Sequence, residues 1–335
     1  MRRPLLSVFL FSALISCGKN PESSDSGTAS EASTLASQLN ADLARVRQEA
    51  EKLSAAVSDL YTRKAEILPG IDRSKYEFAE NGTFHKPLND GGGTLWISGA
   101  VPITEDVIEA AYFTESLDRD LIRITREFPE VSQAFYNDRN SLVRTYPWLD
   151  AASRYPPRMS MPELHSYRLA DESHNPSRTG VWVNEPFLDP SGRGWMVSVI
   201  APVYHGGGLA GVVGLDVTIS TIVDRYFKSR EVPMVVVLPN GLVVAATEKA
   251  IELLEMPPLK NHRYLETVRQ DTFKPDEYNV TKSPVHGVRE MASALLDKSA
   301  TAAPAAPVEL AGRTYTAVSS PVSETGWKVI EIVAK

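Results

Sequence analysis

The residues of this 335-residue chain that could do chemistry are sparse, and they do not assemble into a catalytic motif. His205-Gly206-Gly207-Gly208 is a run whose backbone N–H groups could hold an oxyanion, as acyl transfer requires. That chemistry also needs a nucleophile on a Gly-x-Ser-x-Gly elbow, and no such elbow occurs. The glycines stand between two β-rich segments, so a hairpin turn is their expected role. The six histidines are scattered, with no His-x-x-x-His or His-Glu pair, and Cys17 is the only cysteine. No set of metal ligands follows from such spacing, and no phosphate loop or dinucleotide fingerprint is present. No catalytic residue, metal or cofactor is expected. Binding chemistry is what remains. Asp216 ends a strongly apolar segment, where a carboxylate must be paired. A ligand cation or an internal arginine would both serve.

The N-terminus suggests the compartment. Arg2 and Arg3 precede a mostly apolar stretch from Leu5 to Ile15, shaped like a secretory signal and too short to span a bilayer comfortably. Leu14-Ile15-Ser16-Cys17 follows, and Leu-x-Ser-Cys resembles the lipobox of bacterial lipoproteins. The resemblance implies removal of residues 1–16 and lipidation of Cys17, giving a membrane anchor. Residues 17–33 are too polar to bury anything and read as a flexible tether. Gly18 stands where inner-membrane retention favours Asp, so the outer membrane is the favoured destination, with the protein facing the periplasm or the exterior.

Removing residues 1–16 deletes two arginines and no acid, which takes the formal charge from −7 to −9. An acidic chain of this kind is a poor partner for nucleic acid or anionic lipid. Without Cys17 the fold holds no cysteine, so packing must stabilise it without disulfides. A hydrophobic content of 43% permits that, in one large or two ordinary domains. No later run suits a membrane span. The sequence ends at Lys335 without a recognisable output domain, so any signal is expected to leave through a partner not yet identified.

The elements that must position Asp216 begin with a long helix, expected over 34–68. Leu39, Val46, Leu53, Leu60 and Ile67 fall seven apart, and Ala36, Leu43, Ala50 and Val57 fill the complementary heptad positions. The stripe serves either a coiled-coil homodimer or packing along the chain's own domain. Asn89 to Gly93 is a Gly-rich loop before a short strand over Thr94–Ile97. Thr104, with Glu105 and Asp106 behind it, opens a helix expected to run to about Glu127. After Pro129, a further turn or two carries Val131, Phe135 and Tyr136. Ser141 to Tyr146 reads as a strand, and loops are expected to dominate from there to Arg193.

Trp195–Val203 and Gly211–Ile219 are strong β segments. Met234–Leu238 and Leu242–Ala246 flank Pro239-Asn240-Gly241, a sharp hairpin signal. The Ala/Pro-rich Lys298–Val308 reads as a surface loop. Thr314–Ser319 and Trp327–Val333 form a last hairpin. The strand–hairpin–strand pattern thus occurs twice, and the class is α+β with antiparallel sheets.

An ordered set of motifs links these elements. Asn175-Pro-Ser-Arg178, Trp182 and Phe187-Leu-Asp189-Pro-Ser-Gly192 lead into Trp195-Met-Val-Ser-Val-Ile-Ala-Pro-Val-Tyr204, then Gly211-Val-Val-Gly-Leu-Asp216. Ser320-Pro-Val-Ser and Gly326-Trp-Lys-Val close the chain. This order resembles the double Cache family of extracytoplasmic sensors, two PAS-like modules in tandem on one long N-terminal helix. The resemblance is sharpest over Tyr167 to Ile219. It implies a ligand-pocket module over 69–228, a smaller module over 229–335, and a small polar ligand, an amine or a carboxylate, in the first.

In that scheme Trp182 and Phe187 are apolar walls, Asp216 pairs with a ligand amine and Arg178 with a carboxylate. Tyr167 and Asp171 line the same cavity. Trp182 could equally be core, Asp189 a turn residue, and Arg178 and His174 loop supports. The amino-acid-binding branch of the family carries Arg-x-Trp-Tyr, whereas this chain has Gly180, Val181, Trp182 and Val183. The departure weighs against amino acids as ligands. A sensor lipoprotein that signals or delivers ligand through a partner is therefore the expectation, with a ligand-free envelope scaffold or a hydrolase using His205 as alternatives.

Overall fold

A computed structural model describes residues 30–189, 193–257, 275–296 and 305–335. The expected leader over 1–16, Cys17 and the tether up to residue 29 lie outside the described residues. Helix α1 (Glu31–Thr62) takes in residues 31–33 of the expected tether, which corrects that expectation: Ser30 caps the helix, its side chain accepting from Ser33 N at 3.1 Å, and Ala32 is buried. A short α2 (Lys64–Ile67) and a 3-10 turn at Leu68–Gly70 end the run.

The chain then builds β1 (Glu77–Phe78), β2 (Phe84–His85), β3 (Thr94–Ile97), α3 (Glu105–Phe113), α4 (Asp118–Glu127), β4 (Gln133–Asp138) and β5 (Leu142–Tyr146). Next come α5 (Ala151–Arg154), α6 (His165–Arg168), β6 (Val181–Leu188), β7 (Trp195–His205), β8 (Gly208–Thr218) and α7 (Ile219–Tyr226). The first sheet is antiparallel, in the order β1-β2-β3-β5-β4-β8-β7-β6. After α7 come β9 (Met234–Val237), β10 (Val243–Ala246), α8 (Glu248–Leu253), α9 (His286–Leu296), β11 (Ala305–Leu310), β12 (Arg313–Val322) and β13 (Trp327–Ala334). They form a second antiparallel sheet, β10-β9-β13-β12-β11. One long helix and two antiparallel sheets in tandem form the α+β fold, the architecture that the Cache resemblance implies.

Of the two readings of the heptad stripe, packing along the chain's own domain is the one the structure shows. Ala32, Leu35, Ala36, Leu39 and Leu43 bury against the second sheet through Val236, Trp327 and Val329, in a core that also takes in Val197 and Val217 of the first. Val46, Ala50, Leu53 and Val57 bury against the first sheet through Val199, Val213 and Leu215. Side chains already buried this way cannot also serve as knobs in a partner's holes. Each buried leucine contributes roughly 1.5–3 kcal/mol. Hydrogen bonds fix the helix along both modules. Ser54 Oγ donates to the Pro202 carbonyl at 2.6 Å and Ser58 Oγ to that of Tyr204 at 2.9 Å. Ala32 N donates to Glu331 Oε2 at 2.9 Å, and Arg47 pairs with Glu324.

Three local expectations are corrected. Phe135 and Tyr136 lie in β4, not in a helical turn, because the segment pairs with β5 on one side and β8 on the other. Being adjacent in a strand, they bury on opposite faces. Val181–Leu188 is a strand, not loop. Its register shift between Val183 and Phe187 accommodates Pro186 on the sheet's edge strand. Ala305–Leu310 is also an edge strand, where Pro307 is tolerated; residues 297–304 lie outside the described residues. The His205–Gly208 run is a two-residue hairpin turn, with Gly206 at φ +59° and Gly207 at φ +81°. Both central residues lie in the left-handed region, which glycine enters without strain.

Candidate ligand-binding site

The first sheet has two faces, and strand periodicity assigns side chains to them alternately. Val199, Ala201, Leu215, Ala134 and Tyr136 face α1 and its neighbours. Their partners in alternation, Met196, Ser198, Asp216, Gln133, Phe135 and Asn137, line a cavity of about 370 Å³ on the opposite face. Such a volume lies within the ~300–1,000 Å³ of small-molecule pockets.

A segment running from Tyr155 to Ser166 covers part of this cavity, contributing Met159, Met161, Leu164 and His165. Its attachment is apolar and polar at once. Tyr155, Met159, Met161 and Leu164 pack with Trp96, Val143 and Leu149, and the Trp96 and Tyr155 rings meet edge-to-face at 5.5 Å. Gly99 N donates to the Pro157 carbonyl at 2.8 Å, and Met161 N to Ser141 Oγ at 3.1 Å. The other wall is β6, through Val183, Glu185, Pro186, Phe187 and Leu188, with Asp189 just beyond.

Asp216 is the most perturbed acid in the cavity. Burial pushes its carboxyl up to about 7, even though Ser198 Oγ and Gln133 Nε2 (3.0 Å) donate to it. Nearby Asp189 adds to that rise, and Arg193 opposes it. Arg193 is itself bonded to Gln133 Oε1, and its backbone N donates to Asp189 Oδ2 at 3.0 Å. Burial and the Asp189 charge also push the Tyr155 hydroxyl upward. Asn137 is 8% exposed, and its Oδ1 has no hydrogen-bond partner.

The Gly-Val-Val-Gly-Leu-Asp run has a physical reason in this sheet. Gly214 stands opposite Phe135, and a Cβ on Gly214 would lie 2.1 Å from Phe135 Cζ. The glycine therefore lets the aromatic ring lie over β8, two residues from Asp216 on the same face.

Of the six residues picked from sequence, the structure brings Phe187 and Asp216 into the cavity lining. Tyr167 packs beside it, in a cluster that shares Phe135 and Val183 with the cavity wall, and its hydroxyl has no partner. The other three lie elsewhere. Trp182 neighbours Val183 on β6, so it points to the α1 face and packs against both inter-sheet cores. Asp171 is on the surface, where bonds from Ser173 and His174 hold its carboxyl down at about 2. Arg178 is also exposed. Its guanidinium lies 4.3 Å from the Tyr204 ring centroid and pairs with Glu172 at 2.9 Å.

Gln133, Asn137, Tyr155, Glu185 and Ser198 were missed. For Ser198 and Gln133 a signal existed, since polar residues inside apolar strands must find polar company. For Tyr155 and Glu185 none did, because loop closure and the β6 register set their places. Among the described residues, no group of three or more His, Cys, Asp or Glu is arranged to hold a metal ion. No described helix is long and apolar enough to cross a membrane.

Solved structures share this outline. The extracellular domain of mmHK1S-Z2, assigned as a histidine kinase, is similar with a TM-score of 0.50 at 13% identity, over 90% of this chain and 94% of that one. The ligand-binding domain of the Pseudomonas aeruginosa PAO1 amino acid chemoreceptor PctC, in complex with GABA, gives 0.49 at 15% identity over 90% and 96%. That of the Pseudomonas fluorescens chemoreceptor CtaA, in complex with L-isoleucine, gives 0.44 at 14% over 90% and 93%. No family model matches the chain, and no curated protein matches it. The likeness to the mmHK1S-Z2 domain establishes a shared fold.

Proposed function

We propose that this protein is an extracytoplasmic sensor module that holds a small polar molecule in the cavity of its first sheet and reports it through a partner. The observation that carries the reading is the cavity itself. Apolar walls from Phe135, Phe187 and Met196 surround a few convergent polar groups centred on Asp216, whose contacts are the neutral donors Ser198 and Gln133. A buried carboxylate whose direct hydrogen bonds come from neutral groups is costly in a structural core and useful in a binding site. The fold shared with an extracellular kinase domain supports a place outside the cytoplasm. The lipobox-like Leu14–Cys17 supports anchoring through Cys17, and the outer membrane is the favoured surface.

Transmission follows from α1. The helix packs on both sheets, so a change in the first module's strands would be passed to the second without any further element. A ligand biases that change only by its difference in affinity between the two states.

A thermal-shift screen of the purified protein against amines, amino acids, organic acids, purines and sugars tests the reading. At ~100 times its dissociation constant, a ligand adds about 2.7 kcal/mol. A compound that raises the melting midpoint of the wild type, and raises it less in Phe187→Ala, is the expected result. A folded protein that no compound stabilises would contradict it.

A further inference from the structure

Resting on the sensor reading, the chemistry of the cavity narrows its ligand further. We infer that the site takes a small organic ammonium ion with an apolar body and no carboxylate, and that it excludes amino acids. Three observations carry the inference: the sign of the lining charge, the kind of hydrogen bond left open, and the place of the cations.

Among the described residues, the lining holds three acids, Glu185, Asp189 and Asp216, and no lysine or arginine; His165 is the basic side chain among them. The second observation is independent of charge. Asn137 is 8% exposed, lines the cavity, and has an Oδ1 acceptor with no partner. A buried acceptor in that state calls for a donor. An ammonium group has three donors and no acceptor, whereas a carboxylate only accepts.

The third observation is where three of the module's arginines are engaged. Arg178 stacks on Tyr204 and pairs with Glu172 at the surface. Arg144 points away from the cavity, donating to Asp118 at 2.8 Å and to the Ala111 carbonyl at 2.6 Å. Arg193 is bonded to Gln133 Oε1, and its Nη2 reaches the Pro147 carbonyl at 3.4 Å. A ligand carboxylate would therefore enter a site with three acids, where the nearby Arg193 is already bonded to Gln133. The body of the ligand meets Phe135, Phe187, Met159 and Met196, surfaces suited to an alkyl or aryl group and to the face-on attraction between a cation and an aromatic ring.

Matched probes separate the parts of the claim. 2-Phenylethylamine is compared with L-phenylalanine, and isoamylamine with L-leucine, the neutral members being 2-phenylethanol and isoamyl alcohol. Titration calorimetry and melting midpoints are read at pH 8 on the wild-type protein. The expected result is binding of at least one amine at least tenfold tighter than its amino acid and its alcohol. That affinity falls tenfold or more in Asp216→Asn and several-fold in Asn137→Leu, which changes no charge, while Arg178→Ala leaves it unchanged. If Asp216→Asn does not fold, Asn137→Leu and the probe series still decide. Amino acids or organic acids binding as tightly as the amines would overturn the inference and leave the sensor reading in place. No binding by any compound class would overturn both.

Discussion

The two faces of the eight-stranded sheet come from the same strands and do different work. On the α1 face every position is filled: Val199, Ala201, Val213 and Leu215 meet α1's Val46, Ala50, Leu53 and Val57, all nearly fully buried. On the other face the alternate residues of the same strands leave about 370 Å³ open and carry Ser198, Gln133, Asn137 and Asp216. The difference shows that a strand's period, and not its composition, decides which residue is core and which lines the cavity. Trp182 and Val183 make the point most sharply. The more conspicuous residue faces the core, and the plainer one faces the cavity.

Substitutions should respect that division. The largest effect is expected from Leu53→Lys, which drives a charge into the interface between α1 and the sheet; a loss of several kcal/mol should be seen in denaturant unfolding. The variant should unfold rather than merely change mass in sedimentation, because Leu53 is 3% exposed within a single chain.

Next comes Asp216→Asn on the cavity face. The folded state holds the Asp216 proton up to about pH 7, and the unfolded chain releases it near an ordinary carboxyl value of 3.8. Between these values the folded state binds more protons, so this group's contribution to stability falls as pH rises. The wild type should therefore lose stability relative to the variant from about pH 4 to pH 7, by an amount on the order of 4 kcal/mol. Melting midpoints of the two proteins across that range check the sign; a difference independent of pH would contradict it.

A smaller effect is expected from Trp182→Phe. It should lower stability by roughly 1–2 kcal/mol, through lost packing on the α1 face, and leave ligand affinity within about twofold. The smallest belongs to Asp171→Ala and Arg178→Ala, whose side chains are exposed and bonded to local surface partners. Neither should move the melting midpoint or the affinity measurably, and a large loss of affinity in either would place the site elsewhere.

Much of the fold was legible because its signals are local. The Gly206-Gly207 turn, the Asn240-Gly241 hairpin, the apolar strands around Asp216 and the heptads of α1 all follow from neighbouring residues. The heptads could not say what they pack against, since a stripe is equally apolar to a partner helix and to a sheet. Gln133–Asp138 and Val181–Leu188 were illegible for the opposite reason. Pairing with β8 and β7 makes them strands, and those partners lie up to 83 residues away, as Gln133 and Asp216 do. The site shared both fates. Asp216 was readable from its apolar strand and Phe187 only through the family resemblance. Arg178 and Asp171, charged and close in sequence to both, belong to a surface turn instead.

The most direct test of the central claim, that ligand chemistry lives on the face away from α1, is one set of affinities for a single amine. Titration calorimetry with the tightest-binding amine would compare Phe187→Ala and Asn137→Leu on the cavity face with Trp182→Phe on the other. The account predicts a loss of severalfold or more in the first two and no more than about twofold change in the third. Unchanged affinity in both cavity variants, with the loss confined to Trp182→Phe, would contradict it.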